Sequence, residues 1–335
     1  MRLITRSTVL SALFLCTATM VSSADYVITV DDDGQDMPNA DFSSLSEAVD
    51  AAADYQALSP WLPSKVTIRM APGTYGLVET LEMPVGGLLL LKGVEGAEKT
   101  TINASSIDVG IDIQGGVISL QGVKLRTRGS LDPDARRIGV QCSEAHLSIE
   151  DCIFSSLQST GDGGDVSGIG LLAEHSTVHM QEVVFRRYAD VGLSLVECRG
   201  GEVADTVFRN CNVAMHVDQG VSPAEQEFEL AYCSFVGNYI ALLLENPVMD
   251  PIDDRSWDYQ LGWPMIEGRL LPIQGELGLA LRVEGSTFER NTVTLWNIRE
   301  HTASHDELVF SGCWFEDMHL YPEDCWIDGG GNSSS

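Results

Sequence analysis

Lysine is nearly missing from this chain. Only Lys65, Lys92, Lys99 and Lys124 occur, and none follows Lys124. Lysine and arginine together number 20 against 49 acidic residues, a formal net charge of −29. A body so negative repels nucleic acid and anionic lipid, which argues against sequence-independent phosphate binding. CxxC pairs are absent too. Two histidine pairs stand four apart, His175 with His179 and His301 with His305. On strands and bends that spacing does not converge on a zinc ion as it does on a helix. Charged residues are only 21% beside 44% hydrophobic ones, which excludes a disordered or collagen-like chain. Beyond the first two dozen residues no apolar run is long enough to span a bilayer.

Those first residues, "MRLITRSTVLSALFLCTATMVSSAD", hold Arg2 and Arg6, then an apolar run, then small residues. The pattern predicts a secretory signal peptide over 1–24, and hence a secreted or periplasmic protein. Cys16 leaves with the peptide. Seven cysteines remain, an odd number, spaced unlike those of a small disulfide-stapled domain.

What the chain has in quantity is one phrase. "LSIEDCIF" ends at Phe154, "VHMQEVVF" at Phe185, "GEVADTVF" at Phe208, "FELAYCSF" at Phe235, "LRVEGSTF" at Phe288 and "LVFSGCWF" at Phe315. An aliphatic copy, "ISLQGVKL", ends at Leu125. The steps are 29, 31, 23, 27, 53 and 27 residues, the range of a solenoid. The 53-residue step is about double and predicts one hidden copy. Within each phrase apolar residues alternate, which means strand rather than helix. Further strand-like pieces such as "GIDIQG", "GIGLLAE" and "IALLLEN" lie between phrases. Cys152, Cys233 and Cys313 share a column with Val123, Val183, Thr206 and Ser286, two before the phenylalanine. Such a column predicts a small, buried position in which cysteine is a modest apolar residue.

A leucine-rich repeat would need its own Leu and Asn spacing and a helical turn per unit, and both are missing. Strands at variable period with Gly, Asn and Asp at the bends fit a parallel β-helix, whose coils stack like residues into ladders. The asparagines of "FRNCN", "FVGN" and "FERN" (Asn210, Asn238 and Asn291) are expected to bond backbone at the bends. Upstream, "DFSSLSEAVDAAADY" predicts a cap helix over about 43–55. "KVTIRMAPGTYG" and "LLLLKGVEG" follow it. On these motifs the chain resembles the pectin-lyase-like superfamily, and its opening is similar to that of pectin methylesterases. The resemblance covers about residues 26–325. It implies an all-β, right-handed parallel β-helix with a short N-terminal capping helix. We expect one domain over 25–327, an excursion over about 245–275, and a flexible Gly/Ser tail over 328–335.

The superfamily's catalytic motifs are not here. "GHG", "RIK", "QAVAL", a "DFIFG"-like stretch and RxPxxR are all absent, so fold likeness transfers no activity. Three constellations are candidates instead. Arg126, Arg128, Arg186, Arg187, Arg209 and Arg290 follow the phrases and predict a basic stripe. Its guanidinium groups suit the carboxylates or sulfates of an acidic polysaccharide. The alternative is pairing with Asp151, Glu182 and Asp205, which share a column three before the phenylalanine. The excursion holds Asp253 and Asp254 as candidate catalytic acids beside Trp257, Tyr259 and Trp263, aromatic faces on which a sugar ring could stack. The alternative there is a lid burying its tryptophans. Third, Asp162 and Asp165 in "STGDGGDVSG" are a candidate calcium pair, or a plain solvated bend. No other cofactor is expected.

Two functions are therefore expected. One is a monomeric, non-catalytic module that binds an extracellular polysaccharide or serves as a surface spacer. The other is a carbohydrate-active enzyme, a lyase, hydrolase or epimerase on acidic polysaccharide, for which Lys124 and the arginines are the basic groups available to steady an enolate.

Overall fold

Each phrase bends just before its small residue. In "HLSIEDCIF" the strand His146–Glu150 ends, Asp151 turns the corner, and a second strand begins at Ile153. A third strand, Ile169–Glu174, completes the coil before the next phrase. The computed structural model describes residues 25–58, 65–129, 137–157, 168–218, 226–245, 279–297, 307–316, 320–321 and 327–334. Over them the chain is a parallel β-solenoid. Its coils build three sheets of 11, 10 and 9 strands, here called sheets 1, 2 and 3 in chain order. Every strand pairing in them is parallel and in register, so Phe154 faces Phe185, then Phe208, Phe235, Phe288 and Phe315.

The corners between sheets 1 and 2 explain the consensus. The residue three before each phenylalanine lies in the left-handed region: Asp151 (φ 48°), Glu182 (56°), Asp205 (48°), Tyr232 (55°), Gly285 (57°) and Gly312 (62°). That conformation costs a non-glycine residue about 1–2 kcal/mol. Ladder hydrogen bonds offset it. The amides of Asp151, Glu182 and Asp205 donate to the carbonyls of Gln181, Ala204 and Ala231 one coil on. The next residue then points inward, and the turn leaves it little room. Cys152, Cys233 and Cys313 occupy that place and are buried to 1% exposure, as expected of their column. Burial pushes the Cys152 and Cys233 thiols up to about 12, and the Cys313 thiol up as well.

Between the sheets the six phenylalanines stack with centroids 4.8–5.1 Å apart. All six are at most 1% exposed. In sheet 3 a column of small residues, Gly110, Gly139, Gly170 and Gly192, runs beside the core. A Cβ on Gly170 would stand 2.4 Å from the Gly192 carbonyl oxygen, so this rung cannot take a larger residue without a shift of the backbone beside it. The helix Leu45–Leu58 starts two residues later than expected and ends three later. It buries Leu45, Ala48, Val49 and Ala52 against the first coil.

Three expectations change. The 53-residue step hides no coil. Phe235 stacks directly on Phe288 at 4.8 Å with parallel rings, and the extra length enters between Glu245 and Leu279. Asn210 does not join the asparagine ladder. It is exposed with φ 55°, in the left-handed position that Gly237 and Arg290 occupy in later coils. Asn238 and Asn291 do form the ladder. Asn238 Nδ2 donates to the Phe208 carbonyl, Asn291 Nδ2 to the Phe235 carbonyl, and Asn291 Oδ1 accepts from the Asn238 amide. Finally, the end of the chain does not hang free as a flexible tail. Ser333–Ser334 pair with Trp314–Phe315, held by Asn332, whose Oδ1 accepts from the Cys313 amide at 2.8 Å.

Candidate functional site

Sheet 2 turns alternate residues outward. The position just after each phenylalanine lies on the outer side of the sheet, half-buried or exposed in every coil but that of Ser155, and register fixes who neighbours whom. Asn103 pairs with Arg126, Arg126 with Ser155, Ser155 with Arg186, Arg186 with Arg209, Arg209 with Val236, and Val236 with Glu289. Arg126, Arg186 and Arg209 therefore stand in one ladder along the solenoid axis, at steps of about 4.8 Å. Arg126 and Arg186 are half-buried and Arg209 is exposed. Ser155, 7% exposed, sits between the first two. Arg187 is not on the ladder. It holds the corner beyond Arg186 with φ 64° and is exposed.

The acids do not neutralise this stripe. Asp151, Glu182 and Asp205 occupy the corner at the opposite end of the same strands. Among the described residues no ion pair or hydrogen bond engages the guanidinium of Arg126, Arg186, Arg187 or Arg209. Lys124 does have a partner, Glu98 at 3.2 Å. Arg186 and Arg209 face each other directly, an arrangement that destabilises a strand pair by about 0.2–1 kcal/mol when charges are alike. Beside the ladder, Ile153, Val184 and Val207 form an apolar strip, each half-buried or buried.

A second region lies on sheet 3, where the excursion leaves after Glu245. Val213, Ile240, Leu243 and Val293 form an apolar cluster separate from the main core. Ser194 Oγ lies 3.0 Å from His216 Nδ1 on the neighbouring coil. Sequence reading missed this pair, because nothing in the spacing of the two residues reveals that they share a register position. Asp253, Asp254, Trp257, Tyr259 and Trp263 lie outside the described residues, as do the calcium candidates Asp162 and Asp165 and residues 1–24, where a signal peptide is expected. Among the described residues one acidic group, Asp31, Asp32 and Asp33, has carboxylates close together. Two of these already serve the fold. Asp31 accepts from the Met37 and Asp33 amides, chiefly the former, which holds its carboxyl below the usual range. Asp32 accepts from Thr74. Among the described residues no helix is long and apolar enough to cross a membrane.

No family model matches the chain, and no curated protein matches it either. Solved structures do. A pectin methylesterase from Aspergillus niger is 12% identical over 92% of this chain and 83% of its own, with a TM-score of 0.43. One from Erwinia chrysanthemi is 12% identical over 92% and 90%, at 0.45. A rhamnogalacturonan lyase is 10% identical over 88% and 74%, at 0.47. The likeness is one of fold alone, and at these identities and scores it carries nothing about family or activity.

Proposed function

We propose that this protein is a secreted, monomeric module that binds an anionic extracellular polysaccharide on the outer face of sheet 2. One observation carries the reading: Arg186 and Arg209 are held side by side with no acidic partner among the described residues. Two like charges kept together on a chain of net charge −29 gain nothing for the fold. They gain a great deal from a ligand that bridges them, since guanidinium binds carboxylate or sulfate in a bidentate fork. The charge density required is modest. Duplex DNA carries a charge about every 1.7 Å, and the acidic body repels it. A polysaccharide with one acid per sugar meets rungs about 4.8 Å apart with far less repulsion. The strip of Ile153, Val184 and Val207 offers the C–H faces of the sugars an apolar bed. The test is binding of purified protein to uronate-bearing, sulfated and neutral polysaccharides. Anionic glycans bind, and Arg186→Ala weakens them about 10–100-fold, the loss of one charge-assisted hydrogen-bonding group. Equal binding to neutral glycans, or an Arg186→Ala variant that binds like wild type, overturns the reading.

A second reading is catalytic, with Asp253 and Asp254 as acid and base and Trp257, Tyr259 and Trp263 as sugar platforms. It is favoured by the point of departure of the excursion, directly beside the apolar cluster and the Ser194–His216 pair. Release of reducing ends or unsaturated sugar by the wild type, abolished by Asp253→Asn or Asp254→Asn, supports it. No turnover on any anionic polysaccharide removes it.

A further inference from the structure

The ladder that begins basic does not stay so. Past Arg209 it runs through Val236 to Glu289, and the next outward residue is Glu316, whose amide donates to the Phe288 carbonyl. One column thus holds three guanidinium groups at one end and two carboxylates at the other, with an uncharged rung between. Across the strands the picture differs. Among the described strands of this sheet only Lys124–Arg128 turns three cations outward. Of these Lys124 is bound to Glu98 and has a side chain only 12% exposed, and Arg128 faces Leu157 on the next coil. The strands Val184–Arg186 and Val207–Arg209 each offer a single outward cation.

From this placement we infer that the anionic chain lies along the solenoid axis over Arg126, Ser155, Arg186 and Arg209, and that its footprint ends at Val236. The inference rests on the polyanion reading above and adds its direction and its length. A ligand laid across the strands meets at most two free cations on one coil, Arg126 with Arg128 or Arg186 with Arg187. A ligand laid along the axis meets three over four rungs. The footprint from Arg126 to Arg209 is four rungs, three steps that span about 14 Å. An anion continued further approaches Glu289 and Glu316, well within the Debye length of about 10 Å at 0.1 M salt, and is repelled. Acidic stretches longer than this footprint therefore gain no further affinity.

The experiment is a length series. Size-fractionated oligouronides and sulfated glycosaminoglycan fragments, two to ten sugars long, are titrated into the full protein at low salt. Affinity rises with length and levels off once the oligomer spans the four rungs. In the Glu289→Arg/Glu316→Arg variant the plateau moves to longer oligomers, and their affinity rises at least tenfold. Arg128→Ala, off the axis, changes affinity less than twofold. The footprint is overturned if the plateau stays fixed in the charge-reversed variant, or if Arg128→Ala matches Arg209→Ala in its loss. In either case the polyanion reading stands, because long polymer still binds. If no anionic oligomer of any length binds the wild type, the polyanion reading itself falls and takes the footprint with it.

Discussion

Two columns run side by side through sheet 2, one residue apart in sequence. The inner one is phenylalanine in six successive coils, stacked and sealed from water. The outer one changes at nearly every step, from Arg126 through Ser155, Arg186, Arg209 and Val236 to Glu289. The same strands carry both, so backbone constraint cannot explain the difference. Packing can. An interior rung must match the rungs above and below in volume, which selects one answer and repeats it. A surface rung faces water and is free to vary, so a run of like charge there needs another cause. In this solenoid the repeat records the fold, and the departure from repetition records the site.

Breaking the inner column has the largest effect. Phe208→Ala opens a cavity between two rings and costs about 3–5 kcal/mol. Denaturant midpoints measure it, and the folded fraction keeps wild-type affinity for anionic glycan. A loss below about 1 kcal/mol would mean the column is not the spine described here. On the outer column Arg209→Ala reverses the pattern. Glycan affinity falls by about 1.5–3 kcal/mol, while stability stays within about 0.5 kcal/mol of wild type. Raising salt from 0.05 to 0.5 M weakens that binding and leaves the Phe208→Ala penalty in place.

The buried thiols sharpen the contrast through pH. Burial pushes Cys152, Cys198, Cys211 and Cys233 up to about 12 from 9.0. The unfolded chain releases these protons near pH 9, whereas the folded chain holds them. Stability is therefore fully present below pH 9 and falls as pH rises toward 12. The slope is at most about 1.4 kcal/mol per pH unit for each thiol. A denaturation midpoint that is flat or rising between pH 9 and 10.5 contradicts the burial. In the native state at pH 8 all four thiols alkylate slowly. The smallest effect belongs to the corners. Glu182→Gly relieves a left-handed residue but loosens the unfolded chain, and the net gain is about 0–1 kcal/mol, read from the same midpoints.

Much of this architecture was legible in the sequence, because interior columns repeat. The phenylalanine register, the small cysteine column and the capping helix all follow from alternation and volume. The corners were not. "FRNCN" offers two asparagines, Asn210 and Asn212, and the ladder place falls on Cys211 between them. Asparagine suits both the left-handed corner and the ladder, so composition alone cannot separate the two. The 53-residue step misled for a related reason, since an excursion from the solenoid and a missing coil both lengthen the interval. The site was half legible. Arg126, Arg186 and Arg209 were visible as a stripe, but the expected pairing with Asp151, Glu182 and Asp205 ignored that a strand separates the two columns. The Ser194–His216 contact joins neighbouring coils, and only the register reveals it.

The most direct test is one titration with a stability measurement on the same samples. An Arg186→Ala/Arg209→Ala variant and the wild type are titrated calorimetrically with an anionic polysaccharide at low salt, and both are unfolded in urea. The account predicts an affinity at least 100-fold lower in the variant, with a midpoint equal to or slightly above wild type, because the like-charge pair is gone. Unchanged affinity, or a midpoint that falls as it does in Phe208→Ala, would show that the arginines serve the fold and that the outer column is not a binding site.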